Sequence, residues 1–247
     1  MQLDSFEGSD HPFAAEVHRI IRNHDRSRPR SRQVLIGPSE VGEPCARRLA
    51  YRLMRERRQP SDYDPWPSIV GTSIHEHMAQ VFAAENERLG RIRYLIEKSV
   101  DVRPGMPGTC DLYDADRKMV VDWKNVSANS LRKYRENGPG DKYRTQAHLY
   151  ARGFTQLGLP VEAVAIVFFS RSGGLGQMHM WHEPYNGELV DKALDRIDTV
   201  LELASALNVD SHPENYEQIP KAPSFLCRYC PWFRENGTGS TCNGKED

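Results

Sequence analysis

The sequence predicts an α/β fold, a central mixed β-sheet flanked by helices, and three observations carry that expectation. The run "VEAVAIVFF" at 161–169 is apolar and β-branched without alternation, the pattern of a strand buried on both faces. Segments 108–114 and 118–124 flank a polar turn and read as a hairpin. Helical periodicity lies on both sides of these strands, and an order of helices, β meander, then α, β, β, α calls for helices packed on a sheet.

The elements follow in order. Phe13, Val17, Ile20 and Ile21 mark a helix over 13–24, and "RSRPRSR" after it reads as a loop. "SEVGEPCARRLAYRLMRERR" enters a helix at about Pro44, where the missing N–H of proline costs nothing. "PSDYDPWPS" breaks the chain before a long helix over 67–89 containing Ile69, His75, Val81 and Phe82. Strands are expected at 93–102, 108–114 and 118–124, and helices at 127–136 and 141–157 around the turn "NGPGDK". "QMHMWHE" alternates as a strand beside 161–169, a helix covers 187–207, and the tail is rich in Pro, Gly and Cys. The glycine-rich "RSGGLGQ" lies between strands with no helix opening after it, so it reads as a hairpin turn rather than a phosphate loop. The expected organisation is a helix and basic linker over 1–38, then one domain over 39–247.

With 247 residues, 38% hydrophobic and 27% charged, the chain has the composition of a soluble globular protein. It carries no apolar run long enough to span a bilayer, and "MQLDSFEGSDHPF" lacks the features of a secretory leader. A cytosolic setting is expected, where cysteines more often bind metal than form disulfides. The net charge of −1 hides an asymmetry: Val17 to Arg58 holds twelve Arg and no Lys against four acids. Such a patch fits contact with a polyanion, or else a solvated helix face and linker.

Side chains two apart on a strand share a face, so Asp122 and Lys124 point the same way. With a turn centred on Ala115 and Asp116, Asp111 becomes a diagonal neighbour of Asp122 on that face, roughly 7–8 Å away. Two carboxylates so placed favour a divalent cation, and Mg²⁺ or Mn²⁺ suits oxygen ligands. Lys124 could orient the attacking water or stabilise charge on a phosphoryl transition state. Five cysteines are present, and "CRYCPWFRENGTGSTC" spaces three as C-x2-C-x11-C. A metal centre on Cys227, Cys230 and Cys242 needs a fourth ligand, and Cys45 is the candidate because Cys110 belongs to the sheet beside Asp111.

The "D-x-K" of Asp122-Trp123-Lys124 with Asp111 upstream resembles the PD-(D/E)XK nuclease superfamily, and the order of further motifs resembles its RecB-like branch. The resemblance implies a restriction-endonuclease-like core and a Mg²⁺- or Mn²⁺-dependent DNA exonuclease, acting on single-stranded ends. In "GTSIHEH" it makes His75 a further metal ligand, with Asp111, Asp122 and the Trp123 carbonyl. In "RTQAHLYARGF" it makes Gln146 and Tyr150 DNA contacts, while Glu97, where relatives often carry a carboxylate, reads here as a solvent-facing strand residue. The proline that often precedes the first acid is absent, Cys110 standing there. One upstream cysteine and three at the tail resemble the iron–sulfur nucleases of this branch, among them the AddB nuclease domain and the CRISPR-associated adaptation exonucleases with their phage homologues.

That likeness implies a [4Fe–4S] cluster on Cys45, Cys227, Cys230 and Cys242, with zinc as the alternative, held by elements 43–58 and 224–243. Arg47 and Arg48 would then be presented to DNA phosphates, and the partner would come from recombination, a helicase or CRISPR adaptation. Bacterial or phage-infected cytoplasm is the implied setting. A non-cleaving DNA-binding accessory protein, or a nuclease for duplex ends, flaps or RNA, remains the alternative.

Overall fold

The computed structural model describes residues 12–27, 36–58, 64–222, 227 and 229–244. Most of the Arg/Ser/Pro tract, and positions 223–226 and 228 beside the tail cysteines, lie outside these residues. Helices α1 (Pro12–Ser27), α2 (Pro38–Val41), α3 (Ala46–Leu53) and α4 (Trp66–Leu89) precede the sheet. Strands β1 (Tyr94–Asp101), β2 (Pro107–Asp114) and β3 (Met119–Val126) form an antiparallel meander. Helices α5 (Ala128–Asn137) and α6 (Gly140–Gln156) then carry the chain across to β4 (Ala163–Ser170), which runs parallel to β3. β5 (His179–Pro184) pairs antiparallel with β4, and α7 (Gly187–Ala206) follows. The strand order is β1-β2-β3-β4-β5, the expected mixed sheet.

The two faces of the sheet are covered differently. Leu131 of α5 and Ala147, Ala151 and Phe154 of α6 pack on Val120, Val164, Ile166 and Phe168. On the other face Met78 and Phe82 of α4 cover Leu112, Val121, Trp123, Ala165 and Val167. Each large apolar side chain fully buried in this way contributes about 1.5–3 kcal/mol. A third core joins Leu49 and Tyr51 of α3 to Val190, Ile197 and Val200 of α7 and to Tyr216 and Trp232 of the tail. Trp232 is thus a packing residue, stacked on Tyr51 with ring centroids 5.5 Å apart. Among the described residues no helix is long and apolar enough to cross a membrane.

Three local differences from the sequence reading have physical causes. α3 stops at Leu53 instead of running through the arginines, because Arg55 adopts a left-handed backbone, φ 57°, and Glu56 N turns back to Tyr51 O. The short α2 is invisible to periodicity, and its Pro38 and Val41 are buried. The β2–β3 turn takes four residues, 115–118, because the Asp114 carboxylate accepts the N–H groups of Asp116 (3.1 Å) and Arg117 (3.3 Å). Lys118 completes that turn at φ 49°.

Candidate active site and cysteine centre

The longer turn resets the hairpin register. The ladder pairs Tyr113 with Val120 and Leu112 with Val121, which brings Asp111 directly opposite Asp122 rather than diagonal to it. The shift is two residues, so both carboxylates keep their common face. Ladder pairing ends at Leu112, and beyond it the Asp111 side chain takes over: Oδ2 accepts the Trp123 N–H at 2.7 Å. Cys110 packs on the α6 side and Leu112 on the α4 side although they are two apart, so the strand is irregular at the first acid. A locally splayed ladder of this kind re-aims side chains.

His75, from α4, reaches this opening, with Nδ1 3.0 Å from Asp111 Oδ1. That hydrogen bond raises the imidazole pKa, against the opposing effect of burial. Glu97 joins them while staying exposed on β1, as its reading as a solvent-facing strand residue expects. It lies between the pairs Ile96↔Leu112 and Lys98↔Cys110, opposite Asp111, with φ 46°. Ligand atoms of His75, Glu97 and Asp111 lie within 4.8 Å of one another. One imidazole and two carboxylates so gathered suit a divalent cation.

Asp122 is deeper, 2% exposed. Burial raises its pKa to about 6, assisted by the Asp111 charge and opposed by Lys124. Lys124 forms an ion pair with Asp122 Oδ2. Burial would lower the ammonium pKa, but Asp122 and Asp111 more than offset that and hold it raised. On the α6 side Gln146 Nε2 donates to Asp122 Oδ1 at 3.1 Å and lies 3.3 Å from the Tyr150 hydroxyl. Gln146 and Tyr150, each 6% exposed, border the cavity from beneath Asp122, an arrangement that fits holding the carboxylate. Gly108 permits this packing: a Cβ there would lie 2.7 Å from Pro38 Cγ and 2.9 Å from Tyr150 Cε1.

The acidic centre opens into a cavity of about 1910 Å³ whose lining also includes Cys45, Cys227, Cys230 and Cys242. Among the described residues, no three of these sulfurs lie within 4.8 Å of one another. Cys45 caps α3, its sulfur accepting Arg48 N at 3.5 Å. Cys227 and Cys230 flank a turn closed by Cys230 N→Cys227 O at 2.8 Å. The eleven-residue gap to Cys242 is closed by a bridge between Phe233 and Cys242, with Cys242 N donating to Trp232 O at 2.8 Å. Cys242 Sγ accepts Gly244 N at 3.4 Å, so two of the four sulfurs receive backbone N–H groups. Burial raises the Cys230 thiol pKa.

Both arginines expected to face phosphates border the cavity, and Arg48, its side chain 33% exposed, pairs with Glu43 at 3.2 Å. Arg47 is a correction. Its guanidinium donates to Ile219 O (2.9 Å) and Glu217 O (2.7 Å) and is buried, because tail carbonyls without ladder partners need donors.

Among solved structures, the chain is similar to an alkaline exonuclease from Laribacter hongkongensis at a TM-score of 0.50 and 13% identity, covering 71% of this chain and 90% of that one. The fold is that of this exonuclease. A phage-related exonuclease from Haemophilus somnus 129PT aligns at a TM-score of 0.42 and 14% identity, over 67% of this chain and 82% of its own. No protein-family model matches the sequence, and no curated protein does. At such identity only the architecture carries over, and the chemistry rests on this chain's own residues.

Proposed function

We propose that this protein is a divalent-metal-dependent DNA exonuclease acting on single-stranded ends. The observation that carries the reading is the gathering of His75, Glu97 and Asp111 within 4.8 Å, in a large cavity that the Asp122–Lys124 ion pair also lines. The shared architecture with an alkaline exonuclease supports it. His75, Glu97, Asp111 and Asp122 would hold Mg²⁺ or Mn²⁺, joined by the Trp123 carbonyl. Bound there, the cation supplies Lewis-acid polarisation of the phosphodiester and acidifies the attacking water.

The protein's own groups supply the rest. Lys124 points its ammonium from Asp122 toward the cavity, where it orients water and offsets charge gathering on phosphorus. Gln146 holds Asp122 from behind. Arg48, Lys142 and Lys221 border the same cavity and suit a phosphate backbone. The four cysteines lining the cavity, two of them (Cys45 and Cys242) accepting backbone N–H groups, suit a [4Fe–4S] cluster, zinc being the rival metal.

The test is anaerobic purification, metal and sulfide analysis, and incubation with end-labelled single- and double-stranded DNA with and without Mn²⁺. Mononucleotide release from single strands only with Mn²⁺, by a brown protein, is expected. An inert protein that binds DNA would make the chain an accessory factor, and a colourless zinc protein would replace the cluster.

A further inference from the structure

Lys124 is held by more than its ion pair. Its Nζ lies 5.0 Å from the centroid of the Tyr143 ring, which projects from the first turn of α6 and borders the cavity. Tyr143 is tilted against Tyr134 of α5, with ring centroids 5.8 Å apart. Tyr134 in turn stacks on Phe168, centroids 4.6 Å apart. Phe168 is the β4 residue in register with Lys124 on β3. The four residues close a circuit that begins and ends at the lysine.

We propose that Tyr143 is a positioning residue for Lys124, acting through its ring face and not its hydroxyl. The inference rests on the nuclease reading of Lys124 and adds to it. An ammonium tied to one carboxylate can still swing about that contact, because its stem has four rotatable bonds. The negative face of an aromatic ring fixes a second direction. With Asp122 and Tyr143 each taking one side of Nζ, the remaining N–H direction opens to the cavity. Tyr134, braced on Phe168, keeps the ring from turning away.

The test compares Tyr143→Leu and Tyr143→Phe in the metal-loaded protein on single-stranded DNA. The Leu variant is expected to lose about ten-fold or more in kcat, with KM changed less than about two-fold. The Phe variant, keeping the ring, should stay within about two-fold of wild type. Equal loss in both variants would assign the work to the hydroxyl, and a loss confined to KM would make the ring a base-stacking surface; either overturns the proposal. A second readout needs no cleavage: in protein carrying ¹³Cε-lysine, the Lys124 resonance, identified by its disappearance in Lys124→Arg, should be ring-current shifted. The shift should persist in Tyr143→Phe and vanish in Tyr143→Leu. An unshifted Lys124 resonance in the wild type refutes the idea by itself, whereas a wild type that cuts no DNA sinks only the nuclease reading.

Discussion

Glu97 stands across the β1–β2 ladder from Asp111, and the two carboxylates and the His75 ring offer ligand atoms within 4.8 Å of one another. Glu97 adopts a left-handed backbone at φ 46°, a conformation that costs a residue with a Cβ roughly 1–2 kcal/mol. Strain of that kind beside a candidate ligand set sets function against stability. Glu97→Gly should raise the melting temperature of metal-free protein by about 2–4 °C while weakening Mn²⁺ binding about ten-fold. Calorimetry on both forms checks it, and unchanged Mn²⁺ affinity would remove Glu97 from the site.

Lys124→Ala should cut DNA cleavage by about 10²–10⁴-fold with the fold and any bound cluster intact. The measurement is nucleotide release alongside circular dichroism and colour. Cleavage at the wild-type rate would refute the role of Lys124 outright.

The pH dependence of stability follows from two raised pKa values. Asp122 titrates near 6 in the fold against an ordinary 3.8, and His75 lies above its ordinary 6.5. Both groups hold their protons more tightly when folded, so their contribution is fully present at low pH and is lost as pH rises through the folded values. Melting temperatures of metal-free wild type minus those of Asp122→Asn should therefore fall between about pH 4 and 7. Mn²⁺ should stabilise the wild type increasingly above pH 6, because ligands must shed protons first. A difference that rises with pH would contradict the burial of Asp122.

Arg47 and Arg48, adjacent in sequence, should behave oppositely. Arg47→Ala removes donors from Ile219 O and Glu217 O and should destabilise the protein by about 2–4 kcal/mol in urea unfolding. Arg48→Ala should leave stability within about 0.5 kcal/mol. It should instead weaken DNA binding and make its salt dependence shallower by about one phosphate contact. A salt slope altered by Arg47→Ala but not by Arg48→Ala would reverse the assignment.

Much of this was legible in the chain because hydrophobic period and turn chemistry are local. The unalternating run before Ser170 is β4, and the 67–89 pattern is α4. Two-residue periodicity put Asp122 and Lys124 on one face whatever the register. The register itself escaped, because the Asp114 side chain, not the central pair of the turn, fixes the loop length. Glu97 was legible only as an exposed strand residue; its left-handed backbone and its approach to His75 and Asp111 are announced by no pattern of residue types.

The sequence by itself determined the class of fold and the shared face of the acid and the lysine, since these follow from spacing along one chain. Only the tertiary structure decided that Asp111 faces Asp122 directly, that Arg47 ties down the tail, that Gln146 supports Asp122 and that Tyr143 lies beneath Lys124. Apart from the hairpin pair, those are contacts between different elements of the fold. Their geometry is set by how helices settle on the sheet, and by which buried carbonyls and carboxylates need a partner there.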